Sequence, residues 1–540
     1  MASTQAVLDG ANVLERAWQF ARFHGPVVPL LILLAASSFQ IVGGHSHQDL
    51  SGHAWGADDA YITYRYVENF LRGDGLVFNP GEHVEGYSTF LYVFLLAALA
   101  LPFGSAMYPL SVGLNLTFAA LALLCFFRHI QGRFGRRNAT IAALLLALCP
   151  PLWLAVASGL ETALVLFLQL AVWLAADRVV TSRRPSMPYI LTGGLVLLML
   201  ARADGFVFVG IALVYLAVNG RLKVAAGCGL AVAVLVAPYF LWRYSYYGAF
   251  LPNTYYAKVA GTVYERVRFA TRQLIDLSMS VGLLSYLMLT AAGFGAACRH
   301  FRWRRARGGE AIPFEMLAAV GWVGYWLFIG GDALNERFLL VLFALGISAL
   351  IRGVRYELRT RAGAFLLAMV LVLQLAPLAT DARFRFSPDK YDRWKTLGRF
   401  LGENHPGKSV AVDAAGKIPY FSGLYAIDML GLADTHVAHL DARFIFPGHS
   451  KSDANYVFRR RPDLIAAFID TGADLNWGLT EERYVASGYR LRYLLNTSSF
   501  SMRSYGWADI LDVGGSTQQE VLRRIGAGYR YGVLERMRSQ

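Results

Sequence analysis

The residues best suited to chemistry stand near the start of the chain, in Ala57-Asp58-Asp59-Ala60-Tyr61-Ile62 and its continuation Glu85-Gly86-Tyr87. Adjacent carboxylates repel each other, so the pair persists where a proton, a cation or a hydroxyl donor relieves it. One such carboxylate beside a hydroxyl is a candidate general base, and one or two can ligate a divalent cation. Acids also favour the start of a helix, so the dipeptide alone leaves a structural role open. Arg202, Lys258 and Arg337, with Glu161, Asp204 and Asp332, stand beside the ends of apolar segments. Three cations so placed suit a phosphate at headgroup depth, where arginine offers bidentate contacts. Tyr61, Tyr64, Tyr66, Tyr87, Tyr255 and Tyr256 share the same loops. They suit either a membrane interface or the faces of a sugar.

The elements that must position these groups are membrane helices. Of 540 residues, 56% are hydrophobic and 16% charged, against roughly 25% charged in soluble domains. Apolar runs of bilayer-spanning length recur through the first 380 residues. The net charge of +14 sits in short loops between them, at 128–137, 178–184, 221–223, 299–307 and 352–361. That is the cytoplasmic signature of membrane loops, not the basic face of a nucleic-acid-binding module. Arg16 and Arg22 precede the first apolar run, which reads as a retained signal-anchor with a cytoplasmic N-terminus. Cys125, Cys149, Cys228 and Cys298 lie in or beside apolar runs, so no disulfide framework is implied.

Placing every basic loop inside predicts a polytopic α-helical protein with about eleven spans. They fall at 26–44, 108–128, 139–157, 160–178, 187–201, 205–219, 224–243, 277–297, 313–329, 338–351 and 363–379, with 88–103 lying at the outer face. An outer loop over 45–107 carries the acidic pair, on an amphipathic helix from Asp58 to Leu71 ended by Gly73-Asp74-Gly75. The chain then divides into a membrane domain, 1–379, and a soluble α/β domain outside, 380–540, with a helix at 388–403 and strands at 409–412, 464–469 and 488–495. His45, His47 and His53 beside the acidic pair make a weak metal signature. The chain has no phosphate-cradling loop, Gly-x-Ser-x-Gly or His-Glu-x-x-His.

The ordered set of motifs resembles a known family. Asp58-Asp59-Ala60-Tyr61-Ile62, Gly75-Leu76-Val77-Phe78-Asn79-Pro80-Gly81-Glu82 and Val84-Glu85-Gly86-Tyr87-Ser88 resemble the first outer loop of GT-C membrane glycosyltransferases, in the branch of terminal arabinofuranosyltransferase B. So do Ser158-Gly159-Leu160-Glu161-Thr162, Ala201-Arg202-Ala203-Asp204-Gly205, Leu251-Pro252-Asn253-Thr254-Tyr255-Tyr256-Ala257-Lys258 and Gly330-Gly331-Asp332 with Arg337-Phe338. Gly416-Lys417-Ile418-Pro419-Tyr420-Phe421-Ser422, Ile427-Asp428-Met429-Leu430-Gly431-Leu432 and Pro447-Gly448-His449-Ser450-Lys451 continue it, with Lys417 a departure from the family pattern.

The resemblance implies an inverting transfer of a sugar, arabinofuranose first, from a polyprenyl-phosphate donor to a cell-envelope glycan or glycoprotein. Transfer would take place on the periplasmic side of a bacterial inner membrane. It implies Asp58 as the first candidate base and Asp59 as the second, with both as the candidate ligands of a divalent cation and no other cofactor. Arg202, Lys258 and Arg337 become the phosphate ligands. Tyr61, Arg65, Glu85, Tyr87, Glu161, Asp204, Asn253, Tyr255, Asp332, Asp428 and His449 become substrate-binding candidates. A hexose or aminoarabinose donor would keep the same fold. A transporter or flippase of lipid-linked sugars is the other class, though transporters usually show repeated halves and charges at the bilayer midplane.

Overall fold

A computed structural model describes residues 25–43, 56–182, 184–280, 312–333, 337–354, 360–384, 392–497 and 510–537. Arg16, Arg22, His45, His47, His53, Cys298, the basic loop at 299–307 and all but the start of the span expected at 277–297 lie outside these residues.

Four helices among the described residues are long and apolar enough to cross a bilayer: Met107–Phe134, Thr162–Thr181, Leu222–Tyr247 and Ala362–Thr380. The run expected as one span at 139–157 is two helices, Arg136–Ala147 and Pro150–Ala157, set at 57°. Pro150 and Pro151 explain the break, because proline lacks the donor to continue a helix yet starts a new one well. Val27–Val42, Phe90–Phe103, Met187–Ala201, Gly205–Val218, Phe314–Ile329 and Leu340–Gly353 are apolar but shorter. Among the described residues four helices, or five if the bent pair counts as one, are of spanning length, so the eleven spans expected from the sequence are matched only in part.

Thr162–Thr181 is the buried centre of the bundle, packed on Met107–Phe134 and Met187–Ala201. It starts beside Glu161 and ends after Arg178, while Met187–Ala201 returns from Arg184 to Arg202. Twenty residues of helix separate the two ends by ~30 Å. At the Arg178 end Asp177 takes hydrogen bonds from two nitrogens of Arg133 and from the Tyr215 hydroxyl. Glu315 pairs with Arg352 at 2.6 Å, and the buried His129 ring lies 4.3 Å from that of Trp173.

The C-terminal part carries a six-stranded mixed sheet in the order β2-β1-β3-β6-β4-β5. The strands are β1 Ser409–Val412, β2 Tyr425–Asp428, β3 Leu464–Phe468, β4 Tyr489–Leu495, β5 Ile510–Asp512 and β6 Tyr531–Arg536. β1 runs parallel to β2 and β3, and the remaining pairs are antiparallel. Apolar runs in the sequence mark β1, β3 and β4 and leave β2, β5 and β6 unmarked. The helix expected from 388 begins at Arg393, where the Asp392 carboxylate caps it by accepting from Trp394 and Lys395 N–H groups.

The helix bearing the acidic pair is Asp58–Arg72, closed by Gly73 in the left-handed region at φ 91°. It is not half-exposed, as an amphipathic surface helix would be. Ala60 through Val67 are buried, because the bundle covers one side and the sheet part the other. Arg65 makes that second contact, donating to the carbonyls of Phe78 (2.7 Å), Pro419 (2.5 Å) and Leu424 (2.8 Å) and to Asn79 Oδ1 (3.1 Å). The Asn79 side chain in turn pairs with both the N–H and the carbonyl of Ala426 on the edge strand β2. One hydrophobic core therefore runs without a break from the bundle through this helix into the sheet.

Candidate active site

The N-terminal end of the Asp58–Arg72 helix is gripped from two directions. Ala57 N–H donates to the Ser158 carbonyl at 2.8 Å. Tyr64 and Tyr92 hydroxyls donate to the Gly159 carbonyl at 3.2 and 3.1 Å, and a methyl on Gly159 would overlap the Tyr64 hydroxyl. From the other side, the N–H groups of Gly416 and Lys417 donate to Asp58 Oδ2 and Oδ1 at 2.9 and 2.8 Å. Both Asp58 oxygens are thereby engaged. Burial raises its carboxyl to about 6, with the Lys417 and Gly416 N–H bonds and the Lys417 charge opposing the rise.

Asp59 has no hydrogen bond or ion pair to the described residues. It does act electrostatically on Lys258. The loop that holds Ala57 continues to Glu161, which pairs with Arg202, and Arg202 also grips Asp204 at 2.9–3.2 Å. The Arg202 guanidinium lies 4.3 Å from the Phe338 ring centre. Arg337 binds Asp332 through two bonds of 2.6 and 2.9 Å. Lys258 has the loosest hold, its ammonium 3.8 Å from Asp332 Oδ1. Burial, then the like charges of Arg337 and Arg202, lower the Lys258 pKa, while Arg337 and Lys258 outweigh burial and hold Asp332 below the ordinary carboxylate value. A small pocket runs under the two arginines, walled by Thr162, Gln169, Trp322 and Phe338 among others.

The structure thus brings together Asp59, Glu161, Arg202, Asp204, Lys258, Asp332 and Arg337, and places Asp58 beside them with each oxygen on a backbone amide. Several other candidates are committed elsewhere. Arg65 is a tie between backbones, as described, because its donors are used on carbonyls and on Asn79. Tyr61 packs in the core against Tyr64, Tyr420 and Phe421. Glu85 pairs with buried Arg243 at 2.5 Å, and Tyr87 reaches the Tyr247 hydroxyl at 3.2 Å. Asn253 bridges to the carbonyls of Gly431, Leu432 and Asp434, and Asp428 accepts from Leu430 and Ala433 N–H groups, which shapes that same turn. Tyr255 is partly exposed with its ring against Tyr256. His449 donates to the Pro447 carbonyl, and its neighbour Gly448 lies against the Lys258 side chain.

Each Asp58 oxygen accepts one backbone N–H, and no group of three or more His, Cys, Asp or Glu stands together among the described residues, which do not include His45, His47 and His53. Sequence reasoning also missed the partners of Asp58, since nothing local in Gly416-Lys417 points to a residue more than 350 positions away.

The fold matches that of ArnT from Cupriavidus metallidurans bound to undecaprenyl phosphate, at a TM-score of 0.55 and 12% identity over 93% of this chain and 97% of that one. It also matches the oligosaccharyltransferase of Archaeoglobus fulgidus, at a TM-score of 0.54 and 15% identity over 89% and 75% of the two chains. The chain shares the fold of these two proteins. Among curated proteins it is related to the terminal β-(1→2)-arabinofuranosyltransferases of Corynebacterium glutamicum and Mycobacterium tuberculosis. It is 27% identical to the first over 356 residues (59% of this chain, 50% of the relative) and 29% identical to the second over 332 residues (54% and 51%). The chain spans about half the length of these relatives. Residues 382–509 match the model of a domain of unknown function, DUF8728.

Proposed function

We propose that the protein is an inverting glycosyltransferase that moves an arabinofuranosyl unit from a polyprenyl phosphate to a cell-envelope glycan or glycoprotein. The observation that carries this reading is the pairing of Asp59, a carboxylate without a hydrogen bond or ion pair among the described residues, with a cation-rich cluster at one end of the bundle. Asp59 is the base, ahead of Asp58, because its oxygens are available to a substrate hydroxyl. It takes the acceptor proton as that oxygen attacks the anomeric carbon, while the bond from that carbon to the phosphate oxygen breaks on the opposite face. Lys258, with Arg202 and Arg337 behind it, stabilises the departing phosphate, for which preorganised cations in a water-poor site are effective. Glu161, Asp204 and Asp332 keep the cations in place and balance their charge until the anionic donor arrives.

The same reading sets the N-terminus and the basic loops in the cytoplasm of a bacterial inner membrane. The membrane domain, 1–379, would cross about eleven times, with the site and the α/β domain, 380–540, on the periplasmic face. The ~30 Å between the Arg178 and Arg202 ends supports this orientation.

The test is transfer by purified protein in detergent, offering polyprenyl-phosphate arabinofuranose and short glycan acceptors and following product by mass spectrometry. Wild type should transfer, and Asp59→Asn should lose at least ~10²-fold. An Asp59→Asn protein as fast as wild type removes the assigned base. Failure with pentosyl, hexosyl and aminoarabinosyl lipids alike removes the transferase reading and favours transport.

A further inference from the structure

β1 lies between β2 and β3, and the chain leaves β1 toward β2 but leaves β3 toward the other edge. Such a reversal opens a crevice beyond the carboxyl ends of the two strands, where open α/β sheets usually hold a ligand. Here it is filled from within. Asp413, just past β1, accepts from Phe468 N–H, the Trp477 indole and the Tyr531 hydroxyl, at 3.2, 3.2 and 2.7 Å. The loop then continues to Gly416 and Lys417, whose amides hold Asp58. A methyl on Gly416 would overlap the Asp58 carbonyl oxygen and sit 2.8 Å from its Cγ. The Lys417 side chain points away into a fully buried ion pair with Asp392 at 2.6 Å, under the Tyr61 ring. The loop is therefore fixed on both flanks.

Stability alone gives little reason for this arrangement. A partly buried carboxylate loses hydration that its new bonds only offset, and an apolar contact of similar size often serves as well. An acid in the first turn of a helix can also be satisfied by solvent and by the helix's own amides. Asp58 instead reaches out to the sheet part, and its direct neighbour is Asp59, which has no hydrogen bond or ion pair among the described residues.

We infer that the Gly416-Lys417 loop is a tether that sets the direction of the acidic pair, making Gly416, Lys417 and Asp58 positioning residues for Asp59. The consequence for turnover rests on the transferase reading above; the tether itself does not. The sheet part is on this view a component of the active site and not a lid over it.

The test pairs turnover with a structural readout. With lipid-linked arabinofuranose, Gly416→Ala and Asp58→Asn should each lower kcat at least tenfold and leave the donor KM within threefold. The double variant should be no slower than the slower single one. A wild-type kcat in Gly416→Ala, or losses that multiply in the double variant, would overturn the inference. Hydrogen–deuterium exchange reports on the tether without turnover: exchange over 57–62 should quicken at least tenfold in Gly416→Ala, and over 413–418 in Asp58→Asn. Unchanged exchange in both also overturns it. If wild type transfers no sugar at all, the functional reading fails while exchange still decides the tether. Asp58→Asn keeps shape and volume, so it carries the test should Gly416→Ala misfold.

Discussion

Neighbouring carboxylates differ here by their partners. Asp58 holds two backbone amides, faces the charges of Lys417 and Asp59, and has its pKa raised from 3.8 to about 6. Above that value the ionised group accepts both bonds; below it, a proton occupies an acceptor position. We expect kcat to fall as pH drops through about 6, and a pH–rate profile of Asp58→Asn to lack that limb. Folding responds with the opposite sign. Because the folded value is the higher one, the folded state binds more protons between 3.8 and about 6. The Asp58 contribution to stability is therefore complete at low pH and is lost as pH rises through that window. Lys258 is the cation least committed to a carboxylate. Lys258→Met should lower kcat/KM for the donor at least ~10-fold, about 1.4 kcal/mol of transition-state binding, with little change in melting temperature. The corresponding change at Arg337 would strand buried Asp332 and confuse chemistry with folding.

The helices position these residues, and their two ends do different work. At the end far from the site, Arg133, Asp177 and Tyr215 join three helices inside the bundle, with Glu315–Arg352 linking two more. Removing one partner of a buried ion pair leaves an uncompensated charge that costs ~3–5 kcal/mol. Asp177→Ala should lower the unfolding free energy in detergent by that order while the donor KM stays within twofold. An equal loss of donor affinity would mean that the far end communicates with the site. Arg65 has the matching role between bundle and sheet, and Arg65→Met should speed proteolysis of the 413–435 region without unfolding the bundle.

At the scale of the molecule, the bundle and the sheet share one core through the Asp58–Arg72 helix. A chain ended after Thr380 would expose Tyr61, Arg65 and the whole sheet-facing side of that helix. We expect it to elute as aggregate on size exclusion and to show no transfer. A monodisperse, active truncation would mean that the sheet part is dispensable.

The membrane character was legible in the sequence because hydropathy is a property of short stretches. The acidic pair, the three cations and the order of their motifs were legible too, since residue type and spacing are enough to nominate them. What the linear chain could not show was which nominees are already satisfied. Arg65, Asn253 and Asp428 look like ligands until their hydrogen bonds reach backbone groups, several of them across hundreds of residues. The straight span expected at 139–157 is bent where a local break, Pro150-Pro151, interrupts a continuous apolar run. The proposed ranking of Asp59 over Asp58 turned on two amides at 416 and 417. A hydrogen bond depends on where an atom lies in space, and only the folded chain brings those amides to that carboxylate.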